Sequence, residues 1–252
     1  MKLADIGVVV TGGASGLGGA TAEYFAAQGA KVTIFDLNEE AGHKQAEKIG
    51  GQFAKVNVAD EASVRSGLDL AETAHGITRV LMNCAGIIGA GKTVGRDGAM
   101  PLDKYKAAID VNLVGSFNCI RLVAERLCKA DPIDGERGIL ISTASIAGYE
   151  GQIGQVAYAA SKGGIIGMTL PVARDLSRDL IRNMTIAPGI FMTPMLAAVP
   201  DEYRQALAAN VPNPSRLGDP EEFARLAEHI VENQYLNGEV IRLDGALRMQ
   251  PK

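Results

Sequence analysis

The chain has 252 residues, 47% of them hydrophobic and 21% charged, with a formal net charge of −4. That length can bury a large core and suits one α/β domain better than two small ones. Acids and bases are interspersed without a basic tract, Cys84, Cys119 and Cys128 lack a CxxC spacing, and no run of eighteen apolar residues occurs, so nucleic acid, a disulfide framework, a zinc site and a membrane span are not expected.

His43, His75 and His229 are scattered without an HExxH spacing, and no metal is expected from them. Met1 to Asp5 are too few for the charged region, apolar region and cleavage site of a signal peptide, and a cytoplasmic protein with reduced cysteines is the expectation.

The first predicted strand is Gly7–Thr11. It runs straight into Gly12-Gly13-Ala14-Ser15-Gly16-Leu17-Gly18, which opens a helix over Leu17–Gln28 closed by Gly29. Glycines in that position permit a tight turn and close approach of the backbone to a pyrophosphate, whose charge the helix N-terminus stabilises. Gly12, Ser15, Gly16, Leu17 and Gly18 are therefore candidate cofactor residues. The second strand, Lys31–Asp36, ends on an acid eighteen residues past Gly18. Asp36 can accept hydrogen bonds from ribose hydroxyls and would repel a 2′-phosphate, and Leu37 and Ser15 supply no cation, so NAD is favoured over NADP.

A second helix is predicted over Glu39–Ile49, closed by Gly50 and Gly51, then a strand over Gln52–Val58 and a third helix capped by Asp60. Arg79–Asn83 is the fourth strand. Gly89–Pro101 reads as a glycine-rich solvated loop carrying Lys92 and Arg96, and Leu102–Leu127 as one long, mostly apolar helix. Gly138–Ser142 is a strand. The helix that begins near Tyr158 contains Pro171, which is expected to kink or end it. Strands over Asn183–Ile186 and Glu239–Leu243 complete the pattern. Between them, Met192, Met195, Leu196, Ala197, Ala198 and Val199 suit an apolar substrate lid within residues 191–213. Seven short strands alternating with helices, several nearly continuous in Val, Ile and Leu, predict a single Rossmann-type, doubly wound domain over residues 1–252, with helices on both faces of a parallel sheet.

The chemistry concentrates in Tyr158-Ala159-Ala160-Ser161-Lys162, with Ser145 thirteen positions upstream of Tyr158. A free tyrosine has a pKa of about 10 and is a poor base at neutral pH. On a helix Lys162 lies one turn beyond Tyr158 on the same face, where its ammonium, together with an oxidised nicotinamide, is expected to favour the phenolate. Ser145 can hydrogen-bond a reacting oxygen.

The glycine turn, Asn83-Cys84-Ala85-Gly86, Asn112, Ser145, Tyr158, Lys162 and Pro188-Gly189, in this order over nearly the whole chain, resemble the short-chain dehydrogenase/reductase family. The resemblance implies that Ser15 and Leu17 line the pyrophosphate turn, that Asp36 holds the adenosine ribose, and that Asn57 and Val58 flank the adenine. The family usually carries an aspartate where Asn57 stands. Cys84, Ala85 and Gly86 would lie against the cofactor, and Pro188, Phe191 and Thr193 would meet its nicotinamide end. Ser145, Tyr158 and Lys162 would be catalytic, with Lys162 also binding the nicotinamide ribose and Asn112 supporting a water relay; Gln155 is a candidate substrate contact. Stretches such as Gly163–Pro171, Ser215–Pro220 and Leu236–Ala246 resemble members acting on 3-hydroxyacyl-CoA esters. The implied assembly is a homotetramer acting on a small-molecule substrate. A hydroxysteroid or other secondary-alcohol dehydrogenase, and a non-catalytic cofactor-binding assembly subunit, are the alternatives; an NADPH-dependent carrier-protein reductase conflicts with Asp36.

Overall fold

Each inner strand divides its side chains between two cores, and that division builds the molecule. In the computed structural model, which describes residues 1–251 apart from the side chain of Met195, β1 (Gly7–Thr11) is buried along its whole length. Val8 and Val10 join Phe25, Phe223 and Ile230 on one face, while Val9 joins Leu68, Ile120 and Leu127 on the other. Strands sealed on both faces favour continuous apolar runs, as the sequence has them.

The elements follow in alternation: α1 (Gly16–Ala27), β2 (Lys31–Asp36), α2 (Glu39–Ile49), β3 (Gln52–Lys55), α3 (Glu61–His75) and β4 (Thr78–Asn83). A hairpin of β5 (Val94–Gly95) and β6 (Gly98–Ala99) precedes α4 (Leu102–Ile109), a π-turn (Asp110–Val114) and α5 (Gly115–Leu127). Then come β7 (Gly138–Thr143), α6 (Val156–Asp175), β8 (Ile181–Pro188), α7 (Pro194–Ala197), α8 (Asp201–Ala209), α9 (Pro220–Glu232) and β9 (Val240–Leu243). The sheet order is β3-β2-β1-β4-β7-β8-β9, all pairs parallel. Helices α1 and α9 cover one face and α3, α5 and α6 the other. The winding reverses between β1 and β4, which opens a crevice past their carboxyl ends.

Several helix ends carry the chemistry their sequences suggest. Asp60 caps α3 by accepting from Ser63 N at 2.8 Å, and Gly50 closes α2 with a left-handed φ of 64°. Asp219 and Glu222 form a reciprocal capping box on α9.

Three expectations need correction. The third strand stops at Lys55 rather than Val58, because its partner β2 ends at Asp36, and the last bond between them is Val56 N to Asp36 O at 3.0 Å. The long helix Leu102–Leu127 is interrupted by the π-turn at its middle, although it keeps helical dihedrals throughout. It is long and apolar enough to cross a membrane, yet Cys119, Ile120, Leu122, Val123 and Leu127 spend that character in the core. Of the two outcomes expected at Pro171, an end to the helix does not occur: α6 runs on to Asp175. Pro171 and Gly167 are exposed, so the carbonyl freed four residues back lies on the solvent side, while Ile165, Thr169, Val172 and Ala173 anchor the helix to the sheet.

Candidate active site

Where β1 and β4 end, Thr11 stands opposite Asn83, and the turns beyond them interlock. The Thr11 hydroxyl accepts from both Cys84 N and Ala85 N, at 3.2 and 3.1 Å. Gly12 has φ 64°, and a Cβ there would lie 2.8 Å from Ala85 Cα; a Cβ on Gly18 would lie 2.4 Å from Gly12 O. Side chains are excluded at both positions by backbone. Gly16 differs: its φ is 58°, and nothing lies within 4 Å of where a Cβ would project. Ser15, extended at the N-cap of α1, makes no capping bond, and no acid stands in the first turn. That helix N-terminus is thus left to an anion.

From this turn a cleft of about 740 Å³ extends both ways along the sheet edge. It is lined by Gly12, Ser15, Gly16, Leu17 and Gly18, by Asp36, Asn57 and Val58, by Cys84, Ala85 and Gly86, by Ser145, Tyr158 and Lys162, and by Pro188, Phe191 and Thr193. All but two of the candidate catalytic, cofactor and substrate-contact residues meet here. Asp36 presents a carboxylate already oriented by Ala14 N (3.2 Å) and Asn38 N (3.0 Å), and Leu37 beside it is 60% exposed. Among the described lining residues Lys162 is the one cation, and it sits with Tyr158 and Ser145, away from Asp36. A glycine-walled anion site at a helix N-terminus, flanked by an acid on one side and by the tyrosine and lysine on the other, fits a dinucleotide.

At the chemical end Ser145 follows β7 and caps a 3-10 turn, its Oγ accepting from Ala147 N at 3.1 Å. Tyr158 and Lys162 lie one turn apart on α6, with Nζ 5.7 Å from the phenol ring centroid. Burial pushes the phenol above its ordinary range, and the Ser145 hydroxyl beside it pulls the other way. Lys162 is itself buried, which lowers its pKa to about 8, and its Nζ donates to Thr143 O at 2.6 Å. Burial likewise pushes the Cys84 thiol up to about 11, so at neutral pH it is a small packed thiol, 3.4 Å from Thr143 Oγ1.

Asn112 and Gln155 stand outside the cleft lining. Asn112 is fully buried in the π-turn, where its amide pairs with Ile87 N and O (2.8 and 2.9 Å) and donates to Ser161 Oγ (2.9 Å). It ties the loop after β4 to the helix of Tyr158. A Cβ on Gly86 would come within 3.1 Å of its Oδ1 and 3.8 Å of Lys162 Nζ, so Gly86 leaves the space between them open. Gln155 folds back, its Oε1 accepting from Gln152 N at 3.1 Å. In the lid segment Leu196 and Val199 line the cleft, Met192 is exposed, and the side chain of Met195 lies outside the described residues. Arg96 lies in the exposed turn of the β5–β6 hairpin and Lys92 two residues before it, and neither lines the cleft.

Sequence reasoning missed Thr11, Thr143 and Ser161, the groups that hold the singled-out residues in place. Only long-range contacts reveal them; a threonine at a strand end carries no periodic signal.

The family model described as short chain dehydrogenase matches residues 7–204. The chain is 53% identical over 248 residues to "3-hydroxyacyl-CoA dehydrogenase type-2" of Bos taurus, covering 96% of this chain and 95% of that protein. It is 50% identical to the Drosophila melanogaster protein of the same name, at 96% and 97% coverage. The crystal structure of 3-hydroxyacyl-CoA dehydrogenase type-2 from Mycobacterium avium superposes with a TM-score of 0.95 at 46% identity, covering 98% of each chain.

Proposed function

Because the chain belongs to the short-chain dehydrogenase family, we propose that it is an NAD-dependent oxidoreductase interconverting 3-hydroxyacyl-CoA and 3-oxoacyl-CoA esters, short or 2-methyl-branched. The observation that carries the reading is the convergence of Ser145, Tyr158 and Lys162 in one cleft that continues past the glycine turn to Asp36.

The glycine turn and the N-terminus of α1 would hold the pyrophosphate, Asp36 the adenosine ribose, Asn57 and Val58 the adenine, and Lys162, Phe191 and Thr193 the nicotinamide end. The cofactor, when bound, supplies the hydride acceptor and, oxidised, a positive charge near the phenol. Ser145 orients the substrate hydroxyl and hydrogen-bonds its oxygen as charge changes there. Tyr158 Oη takes the hydroxyl proton in oxidation and returns it to the carbonyl oxygen in reduction. Lys162, fixed by Thr143 O, is the adjacent donor. Asn112 keeps α6 and the loop after β4 in register. Absence of a cation beside Asp36 among the described lining residues supports NAD over NADP.

The test is a side-by-side assay with NAD and NADP on 3-hydroxybutyryl-CoA, its 2-methyl analogue and a hydroxysteroid. NAD reduction with the CoA esters is the expected result; turnover of the steroid alone would replace the substrate assignment. A homotetramer and a cytoplasmic setting belong to the same proposal, to be checked by sedimentation and cell fractionation. Exposed Val114, Phe117 and Leu170 near α5 and α6 support association.

A further inference from the structure

The chain between Ser145 and Tyr158 consists of two separate turns. The first hangs on Ser145: Gly148 N donates to Ser145 O and Glu150 N to Ile146 O, both at 3.0 Å. The second belongs to α6: Gln155 N donates to Gln152 O at 3.0 Å, and Ala159 N to Gln155 O at 2.7 Å. Among the described residues no backbone hydrogen bond of the loop crosses from one turn to the other. The two turns meet by packing alone: a Cβ on Gly148 would lie 3.0 Å from Lys162 C, and one on Gly151 2.8 Å from Ala159 Cβ.

Hydrogen bonds across the joint between them come from the C-terminal segment. Met249 N donates to Glu150 Oε2 at 3.1 Å, Gln152 Nε2 to Gln250 O at 3.0 Å, and Ile153 N to Pro251 O at 3.0 Å. Three consecutive residues thus grip both turns. Arg242 on β9 anchors the arrangement: Nη1 donates to Glu150 Oε1 at 2.8 Å, Nη2 to Leu247 O at 3.1 Å and Nε to Asp244 Oδ2 at 2.7 Å, with the guanidinium 5.1 Å from the Tyr149 ring centroid. Leu247 packs in a small buried cluster with Ile146, the residue after Ser145, and Val211 at the end of the lid.

We propose that residues 249–251 form a strap, anchored through Glu150 and Arg242, that sets Ser145 against Tyr158, and that Glu150 and Gln152 are positioning residues for the proton-transfer step. The proposal rests on the reading that Ser145 and Tyr158 carry that step. Reacting groups must be held within roughly 0.5 Å of their productive placement, and directional bonds to the strap add to packing between the two turns a constraint that packing alone does not supply.

Two variants test it in the full-length protein, Glu150→Gln and Gln152→Leu, with a chain ending at Arg248 as the third. Hydrogen–deuterium exchange reads the strap without reference to activity: amides of residues 149–157 are expected to exchange at least tenfold faster, while β1 and β4 keep their protection. Cofactor affinity, measured by fluorescence titration, is expected to stay within twofold. In the 3-hydroxybutyryl-CoA assay kcat is expected to fall at least tenfold, and the pH limb assigned to Tyr158 to move to higher pH as the Ser145 contact loosens. Unchanged exchange overturns the strap. Faster exchange with unchanged kcat and pH profile overturns its positioning role. If Gln152→Leu alone folds, the same two readings decide from that variant. Failure of the underlying function would appear separately, as wild-type protein that turns over none of these esters.

Discussion

From α6, Lys162 Nζ reaches the carbonyl of Thr143, the last residue of β7, at 2.6 Å, and this contact accompanies a destabilising burial. The ammonium is buried and its pKa falls to about 8. An unfolded lysine titrates near about 10.4. Between these values the unfolded chain binds more protons than the folded one, so stability rises as pH increases from about 8 towards about 10. At pH 7 the penalty is on the order of 3 kcal/mol, partly offset by the bond to Thr143. Lys162→Met is therefore expected to raise the melting temperature at pH 7 by a few degrees while turnover falls at least 100-fold, a trade of stability against function. Calorimetry with parallel assays checks it; a lowered melting temperature would mean that the Thr143 bond outweighs the burial.

Ser145 has two functions at one oxygen, and they can be separated by pH. Burial raises the Tyr158 pKa and the Ser145 hydroxyl lowers it. Oxidation needs the phenolate, so its rate should rise with pH through the Tyr158 ionisation. Ser145→Ala should move that limb upward and reduce kcat/KM by roughly 100-fold, the range seen when one oxyanion donor is lost. Tyr158→Phe should abolish the limb. Persistence of full turnover in Tyr158→Phe would reject the mechanism.

The parts of this site that were legible in the sequence are those in which one short segment contains its own reason. Thr11 to Gly18 joins strand to helix through glycines, two of them, Gly12 and Gly18, closed to any side chain by backbone, and Asp36 ends a strand whose length the alternation already sets. Tyr158 and Lys162 share a face because a helix turns once in four residues. Illegible were features decided by distant partners. β3 stops at Lys55 because β2 has ended. The π-turn at Asp110–Val114 has no glycine or proline to announce it, and it positions Asn112 between Ile87 and Ser161. Pro171 breaks a local rule at no cost visible in the helix, since its freed carbonyl lies on the exposed side. The balance that sets the Tyr158 pKa depends on burial, which spacing alone does not give.

Asn57 offers less to the proposed adenine than the aspartate usual in the family. Its Oδ1 accepts from Ala59 N at 3.1 Å, which directs the amide NH2 outward as a donor. The adenine 6-amino group is also a donor, so in the proposed pose only the remaining lone pair of Oδ1, already engaged with Ala59 N, would be left to accept from it. In Asn57→Asp one carboxylate oxygen can keep the Ala59 bond while the other accepts from the amino group. NAD is expected to bind about 5- to 10-fold more tightly, the worth of about one added hydrogen bond. The hypoxanthine dinucleotide, which carries a carbonyl at that position, should gain nothing. Titration calorimetry with both dinucleotides checks this, and equal gains for both would place the purine elsewhere.

Far from the cleft, Arg182 on β8 holds the back of the sheet to α9 and its following turn. Its Nε donates to Glu136 Oε2 at 2.6 Å, while Nη1 and Nη2 reach the carbonyls of Ile230, Val231, Asn233 and Leu236 at 2.7–3.2 Å. Both members of the ion pair are about 6% exposed. Burial raises the Glu136 pKa, but Arg182 and the Met1 amino group lower it further, and the net direction is down. A carboxylate depressed in the folded state stabilises above its unfolded pKa, near about 4.3, and that contribution is lost as pH falls through the lower folded value. Arg182→Met removes one charge and strands four carbonyls, while Glu136 keeps the Met1 ammonium at 3.1 Å as its remaining partner, so a loss at the lower end of about 3–5 kcal/mol is expected. Glu136→Gln keeps the shape and should cost less near pH 7. Its deficit relative to wild type should begin to shrink as pH falls below about 4.3, where the unfolded chain takes up the proton before the folded one does. Urea titrations at pH 7 and pH 3.5 measure both, and an acid-independent deficit would mean that the pair acts through packing rather than charge.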